Sequence, residues 1–336
     1  MKTLVTGAAG FIGFHLARRL LAHGHEVVGY DGITPYYDVR LKRARLALLA
    51  REPGFRFVEG MLEDAALLHA TVAQLRPQMV FHFAAQAGVR YSLEQPLSYL
   101  SANLTGLFNL LDALRQGPPQ HLLFASSSSV YGANTAAPFR ETDRTDFPLS
   151  IYAASKRGGE AMTHSYAHLF GIPTTALRLF TVYGPWGRPD MAAIKFASAI
   201  DEGRPIEIFG DGRMHRDFTY VADVIEAVVR LGGQPPRAGA AVSIEDSISP
   251  AAPWRVVNVA GGHPLELHAF IGALERALGR TAARIMLPMQ PGDVRLTHAD
   301  TTLLEALVGY VPATSLDSGL VAFADWYSAE WRRFSA

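Results

Sequence analysis

Tyr152 and Lys156 stand four residues apart in Tyr152-Ala153-Ala154-Ser155-Lys156, and a serine run, Ser126-Ser127-Ser128-Ser129, lies a short way before them. Four residues is just over one helical turn, so the phenol and the ammonium share a helix face, where a neighbouring cation favours the phenolate. A tyrosine held that way acts as a base near neutral pH, and a serine hydroxyl can hydrogen-bond the oxygen it deprotonates. Ser127, Tyr152 and Lys156 together read as a catalytic triad. The chain has 12 Tyr and four Lys, so about 0.14 such pairs arise by chance and the spacing alone is only suggestive.

The amino terminus strengthens it. Lys2-Thr3-Leu4-Val5-Thr6 reads as a buried strand running into Gly7-Ala8-Ala9-Gly10-Phe11-Ile12-Gly13, and Phe11, Ile12, His15, Leu16, Arg19 and Leu20 then recur at helical spacing up to Gly24. Strand, glycine turn and helix make a pyrophosphate site, because glycine lets the backbone approach the anion at the helix N-terminus. The spacing is Gly-x-x-Gly-x-x-Gly, a departure from the commonest dinucleotide fingerprint. A second strand, Glu26 to Tyr30, ends at Asp31, where an acid binds the adenosine ribose and disfavours a 2′-phosphate. Arg40, Lys42 and Arg43 follow closely and soften that exclusion, and without the glycines Asp31 reads as a strand-end turn residue.

Further strand-like runs at Phe55–Val58, Met79–Phe83, Leu122–Ser126 and Thr174–Leu179 alternate with helical stretches at Val39–Leu49, Asp64–Leu75, Pro96–Arg115 and Ser150–Phe170. That order predicts an α/β fold, a Rossmann-like doubly wound parallel sheet, with a smaller C-terminal substrate-binding domain. From Val182 onward short strands, Pro/Gly turns and small helices such as Leu265–Leu278 and Thr301–Leu307 take over, and Gly232–Pro253 reads as a surface loop or a partly disordered segment. A length of 336 residues suffices for a large core, and the formal net charge of zero gives no basic surplus for nucleic acid. No apolar stretch is long enough to cross a membrane. Cysteine is absent, which removes disulfides and thiolate metal sites, and the first strand begins at Lys2, leaving no room for a signal peptide. A cytoplasmic location is the default expectation. His164 and His168 are four apart without a third ligand and read as helix-face residues, with no metal.

Several blocks carry a resemblance. Thr6 to Gly13, Ala84-Ala85-Gln86-Ala87-Gly88-Val89-Arg90-Tyr91-Ser92, the serine run with Val130-Tyr131-Gly132, Tyr152 to Lys156, Thr181 to Met191 and Met289 to Val294 together resemble the extended short-chain dehydrogenases/reductases, in the nucleotide-sugar epimerase branch. The Thr181–Met191 and Met289–Val294 blocks are similar to those of UDP-glucuronate 4-epimerases. The resemblance implies NAD as cofactor and a UDP-sugar as substrate. It implies residues 1–181 as the NAD-binding domain, taking in part of 216–260, and 182–336 as the mainly substrate-binding domain, interleaved with it. Gly7, Gly10, Phe11, Ile12, Gly13, Asp31, Ala84, Ala85, Asn103, Tyr152 and Lys156 are the residues it places at the cofactor.

The implied reaction is 4-epimerisation through a transient 4-keto sugar, with Tyr152 taking the 4-hydroxyl proton, Ser127 bonding the same oxygen and Lys156 also holding the nicotinamide ribose. In dehydratases of this fold Asp-Glu precedes Val-Tyr-Gly, and in decarboxylases the second residue is Glu; here Ser128 and Ser129 stand there, so elimination lacks its acid and base. The 4-keto intermediate of a glucuronate is a β-keto acid. Donors that hold its carboxylate out of alignment with the carbonyl slow decarboxylation, and Thr181, Arg188, Ser127 and Ser128 are the candidates, with Arg90 as another. Arg216 is implied at the diphosphate, Gln290 and Asp293 at the nucleotide ribose and phosphates, and Phe209 at the uracil or equally as a core aromatic.

Two positions depart from the family. Met61 follows Gly60 where relatives carry an aspartate that accepts from the adenine amino group, and Gly32 follows Asp31 where Asn is frequent. A homodimer through a four-helix interface of Pro96–Arg115 and Ser150–Phe170 is implied, with Leu97, Leu100, Leu104, Leu107, Leu111 and Leu114 as its apolar series. The alternatives are a 4-epimerase of neutral UDP-hexoses or UDP-N-acetylhexosamines and, less favoured, a non-catalytic NAD-binding sensor.

Overall fold

The computed structural model describes residues 1–289 and 294–334. The strands in chain order are β1 (Lys2–Thr6), β2 (Glu26–Asp31), β3 (Phe55–Glu59), β4 (Met79–His82), β5 (His121–Ser127), β6 (Thr174–Leu179), β7 (Thr181–Tyr183), β8 (Ile206–Phe209), β9 (His215–Tyr220), β10 (Trp254–Val259), β11 (Pro264–Glu266) and β12 (Arg284–Leu287). Seven of them form one sheet in the order β10-β6-β5-β4-β1-β2-β3, and each neighbouring pair is parallel. The central strands β4 and β5 are buried at every position, as a sheet covered on both faces requires. Strand order reverses between β1 and β4, which opens a crevice at the carboxyl ends of these strands.

Helix ends follow local chemistry. Asp64 accepts a hydrogen bond from the Leu67 amide at 3.0 Å and Ser150 from the Ala153 amide at 3.1 Å, so each caps the helix whose first turn it had been expected to begin. The expected single helix Pro96–Arg115 is divided into α-helix Pro96–Tyr99, a π-helical segment Leu100–Thr105 and α-helix Gly106–Leu114. Pattern reading detects apolar period and has no signal for one widened turn. The helix expected from Leu265 starts at Leu267, because Pro264–Glu266 pairs as β11 with β9.

The C-terminal half builds two small sheets, β11-β9-β7 and β12-β8, while β10 returns to the edge of the large sheet beside β6. The Gly232–Pro253 segment leading to β10 is tied down. Arg255 of β10 donates to both carboxylate oxygens of buried Asp246 at 2.8 and 2.9 Å, and Asp246 also accepts from the Val242 and Ile248 amides. His164 and His168 fasten the same segment through the Ser249 hydroxyl and the Ala251 carbonyl.

Candidate active site

One cavity runs along the carboxyl ends of β1, β2, β3, β4 and β5. Gly7 sits at φ +74°, and a side chain there would come within 2.6 Å of the Ala84 amide; at Gly13 it would meet the Gly7 carbonyl at 2.1 Å. Only glycine lets strand, loop and helix Phe11–Ala22 approach this closely. Gly7, Gly10, Phe11, Ile12, Gly13, Ala84 and Ala85 all line the cavity. Asp31 lines it too, its carboxylate fixed by the Ala9 amide at 3.0 Å and the Ile33 amide at 2.8 Å. Lys42 borders the same end and donates to the Thr34 carbonyl and hydroxyl.

Asn103 is buried and does not line the cavity. Its side chain accepts from the Gln86 amide at 2.8 Å and donates to the Gln86 carbonyl and the Ser155 hydroxyl. It therefore fastens the Ala84–Gln86 loop to the helix that carries Tyr152, and the π-helical turn presents it there.

Ser127 ends β5, and its hydroxyl accepts from the Ser129 amide while donating to the Ser129 hydroxyl. Tyr152 and Lys156 project from helix Ile151–Phe170 into the cavity, which Ser127, Ser128 and Ser129 also line. Burial pushes the Tyr152 phenol above its ordinary range, and hydrogen bonding to Ser127 and the charge of Arg188 pull it back. Burial lowers Lys156 to about 7. Its ammonium donates to the Ala125 carbonyl at 2.7 Å and lies over the Phe124 ring. Arg188 thus adds a second positive charge near Tyr152, beside the Lys156 expected from sequence.

Thr181 opens β7 and lines the cavity with Arg188. Arg188 donates through Nε and Nη2 to the two oxygens of Asp190 at 3.0 and 2.6 Å, and Tyr36 donates to Asp190 at 3.0 Å. Burial opposes the charge on Arg188, but Asp190 more than offsets this and holds it protonated. Arg90, Phe209 and Arg216 do not line this cavity. Arg90 lies 4.4 Å over the Phe209 ring, and Arg216 donates to the His215 carbonyl. Gln290 and Asp293 lie outside the described residues.

The model of the NAD dependent epimerase/dehydratase family matches residues 3–244. The chain belongs to the NAD dependent epimerase/dehydratase family. It is 54% identical over 336 residues to a probable UDP-glucuronate 4-epimerase of Rhizobium meliloti, spanning 99% of this chain and 98% of that one. It is 44% identical over 332 residues to UDP-glucuronate 4-epimerase 1 of Arabidopsis thaliana, spanning 97% of this chain and 76% of the relative. The crystal structure of UDP-glucuronic acid 4-epimerase from Bacillus cereus, in complex with UDP-glucuronic acid and NAD, superposes with a TM-score of 0.87 at 33% identity, covering 98% of this chain and 99% of the other.

As a member of the NAD dependent epimerase/dehydratase family, the chain takes NAD as its cofactor, and the cradle at Gly7 and Gly13, which any Cβ would fill, fits it. Two residues important to this site escaped sequence reading. Tyr36 holds Asp190, and so Arg188, from the loop after β2. Arg45 is fully buried and donates to the carbonyls of Ala9, Trp186 and Gly187, joining the glycine turn to the loop that carries Arg188. Its position was the available signal: Leu41, Arg45 and Leu49 are four apart, so Arg45 falls on the buried helix face.

Proposed function

We propose that this chain interconverts UDP-glucuronate and UDP-galacturonate by epimerisation at C4, through a transient 4-keto sugar. The observation that carries the reading is that Ser127, Ser128 and Ser129 line the same cavity as Tyr152, so the residues before Val130-Tyr131-Gly132 offer hydroxyls and no carboxylate for elimination. Tyr152 accepts the proton of the sugar 4-hydroxyl, with the Ser127 hydroxyl on the same oxygen. Lys156, buried in the same cavity, would hold the nicotinamide ribose. NAD, when bound, would supply the acceptor and donor for the C4 hydride. The keto sugar would turn within the site to present its other face, and Tyr152 would return the proton to the 4-oxygen. Gly7, Gly10, Phe11, Ile12, Gly13 and Asp31 hold the dinucleotide.

Thr181, Arg188 and Ser128 restrain the carboxylate. Arg188 already has Asp190 as its counter-ion, so it offers directed N–H groups more than net charge. That pairing is also what favours the second reading, a 4-epimerase of neutral UDP-hexoses. Residues 1–181, with part of 216–260, serve the cofactor and 182–336 mainly the UDP-sugar. The protein works as a homodimer through helices Pro96–Leu114 and Ile151–Phe170, in the cytoplasm, as a cysteine-free composition suits. The test is incubation of the pure protein with UDP-glucuronate, UDP-glucose and UDP-N-acetylglucosamine, followed by chromatography. UDP-galacturonate from the first, well ahead of any product from the others, supports the proposal; turnover of the neutral sugars alone overturns it.

A further inference from the structure

Asp31 closes β2, and β3, the next strand outward, ends at Glu59, so the cavity continues past the ribose-binding end to Gly32, Gly60, Met61, Leu62 and Glu63. A dinucleotide whose ribose meets Asp31 seats its adenine at this outer end. Met61 stands where the family resemblance implies an adenine-binding aspartate, and its thioether lies over Gly32: a side chain at residue 32 would come within 2.2 Å of the Met61 sulfur. The two departures from the family pattern are thus one packed unit. It gives the base an apolar surface and no acceptor at Met61.

The acceptor stands two residues on. Glu63 lines the same end of the cavity, and its Oε2 is buried without a hydrogen-bond partner. The segment is held firmly: Tyr30 donates to the Met61 carbonyl at 2.9 Å, and Asn109 donates to the Leu62 carbonyl at 3.0 Å. An ionised carboxylate accepts only, so it suits a donor at the base edge, and the donor that adenine offers is its exocyclic amino group. A buried acceptor with no partner in the free protein costs stability that a ligand donor recovers.

We infer that Glu63 is the residue that recognises the adenine amino group of NAD in this chain, acting from two positions beyond Met61. The inference rests on NAD as the occupant of the cavity. Dissociation constants of NAD and of its hypoxanthine analogue, which carries a carbonyl in place of the amino group, are to be measured by titration calorimetry on cofactor-stripped wild type, Glu63→Gln and the double variant Glu63→Gln/Met61→Asp. A carboxylate repels that carbonyl, whereas a glutamine amide can donate to it. Wild type should prefer NAD, Glu63→Gln should lower that preference at least about tenfold, and Met61→Asp should restore much of it in the double variant. A preference unchanged by Glu63→Gln overturns the inference while leaving NAD as the cofactor. Failure of wild type to bind NAD overturns the cofactor assignment itself.

Discussion

At the residue scale, the spacing of Tyr152 and Lys156 made the reactive pair legible, because four residues on a helix leave little freedom in where two side chains point. The electrical surroundings of the pair were not legible, since they depend on burial and on a cation from a distant loop. Folding takes Lys156 from an ordinary amine range to about 7. The unfolded chain then holds a proton that the folded chain sheds, so stability rises with pH from about 7 to about 10.4 and the full penalty applies below that window. Cofactor-stripped Lys156→Met should therefore melt several degrees above wild type at pH 7 and lose this advantage towards pH 10; scanning calorimetry across pH checks it, and an advantage independent of pH contradicts it. Arg188 was found in sequence by its block, but Asp190 and Tyr36 as its partners were not. Arg188→Ala should lower kcat/KM for UDP-glucuronate relative to UDP-glucose by about one to two orders of magnitude, corresponding to about 1.5–3 kcal/mol. Equal losses on both sugars would make Arg188 a structural residue of the Asp190–Tyr36 cluster.

At the element scale, the parallel sheet and most helices were legible because buried strands and amphipathic helices leave strong periodic marks. The π-helical turn at Leu100–Thr105 left none, and neither did the hydrogen bond by which Asn103 braces the loop after β4. What holds helix Ile151–Phe170 at the right height was also hidden. Glu160 accepts two hydrogen bonds from Arg178 of β6, at 2.9 and 3.0 Å, and one from Ser126 of β5 at 2.7 Å, all buried. These bonds fix the helix against the strand that ends in Ser127, and so fix Tyr152 relative to Ser127. Removing one partner of such a pair strands the other charge, at about 3–5 kcal/mol. Glu160→Ala should lose about that much in denaturant unfolding and lose kcat more than KM suffers; unchanged stability would show that the anchor lies elsewhere.

At the scale of the whole molecule, apolar surface left outside the core is where the proposed second copy would dock. Of the leucine series read from sequence, Leu107, Leu111 and Leu114 are buried under the sheet, whereas Leu97 and Leu100 are exposed together with Phe108, Leu149, Ile151 and Leu169. Period alone could not divide that series, because apolar residues on the sheet side and on the exposed side of the helix read alike in sequence. Wild type should scatter light as a dimer at micromolar concentration, and Leu97→Glu/Phe108→Glu as a monomer that keeps its fold; a monomeric wild type contradicts the dimer. The central claim is that the hydride removed from C4 returns to C4 within one closed site. UDP-glucuronate deuterated at C4, incubated with the protein in ordinary water and followed by NMR and mass spectrometry, measures this directly. The account predicts UDP-galacturonate that retains the deuterium at C4. Loss of the label to solvent, or a UDP-4-keto-pentose in place of the epimer, would contradict it.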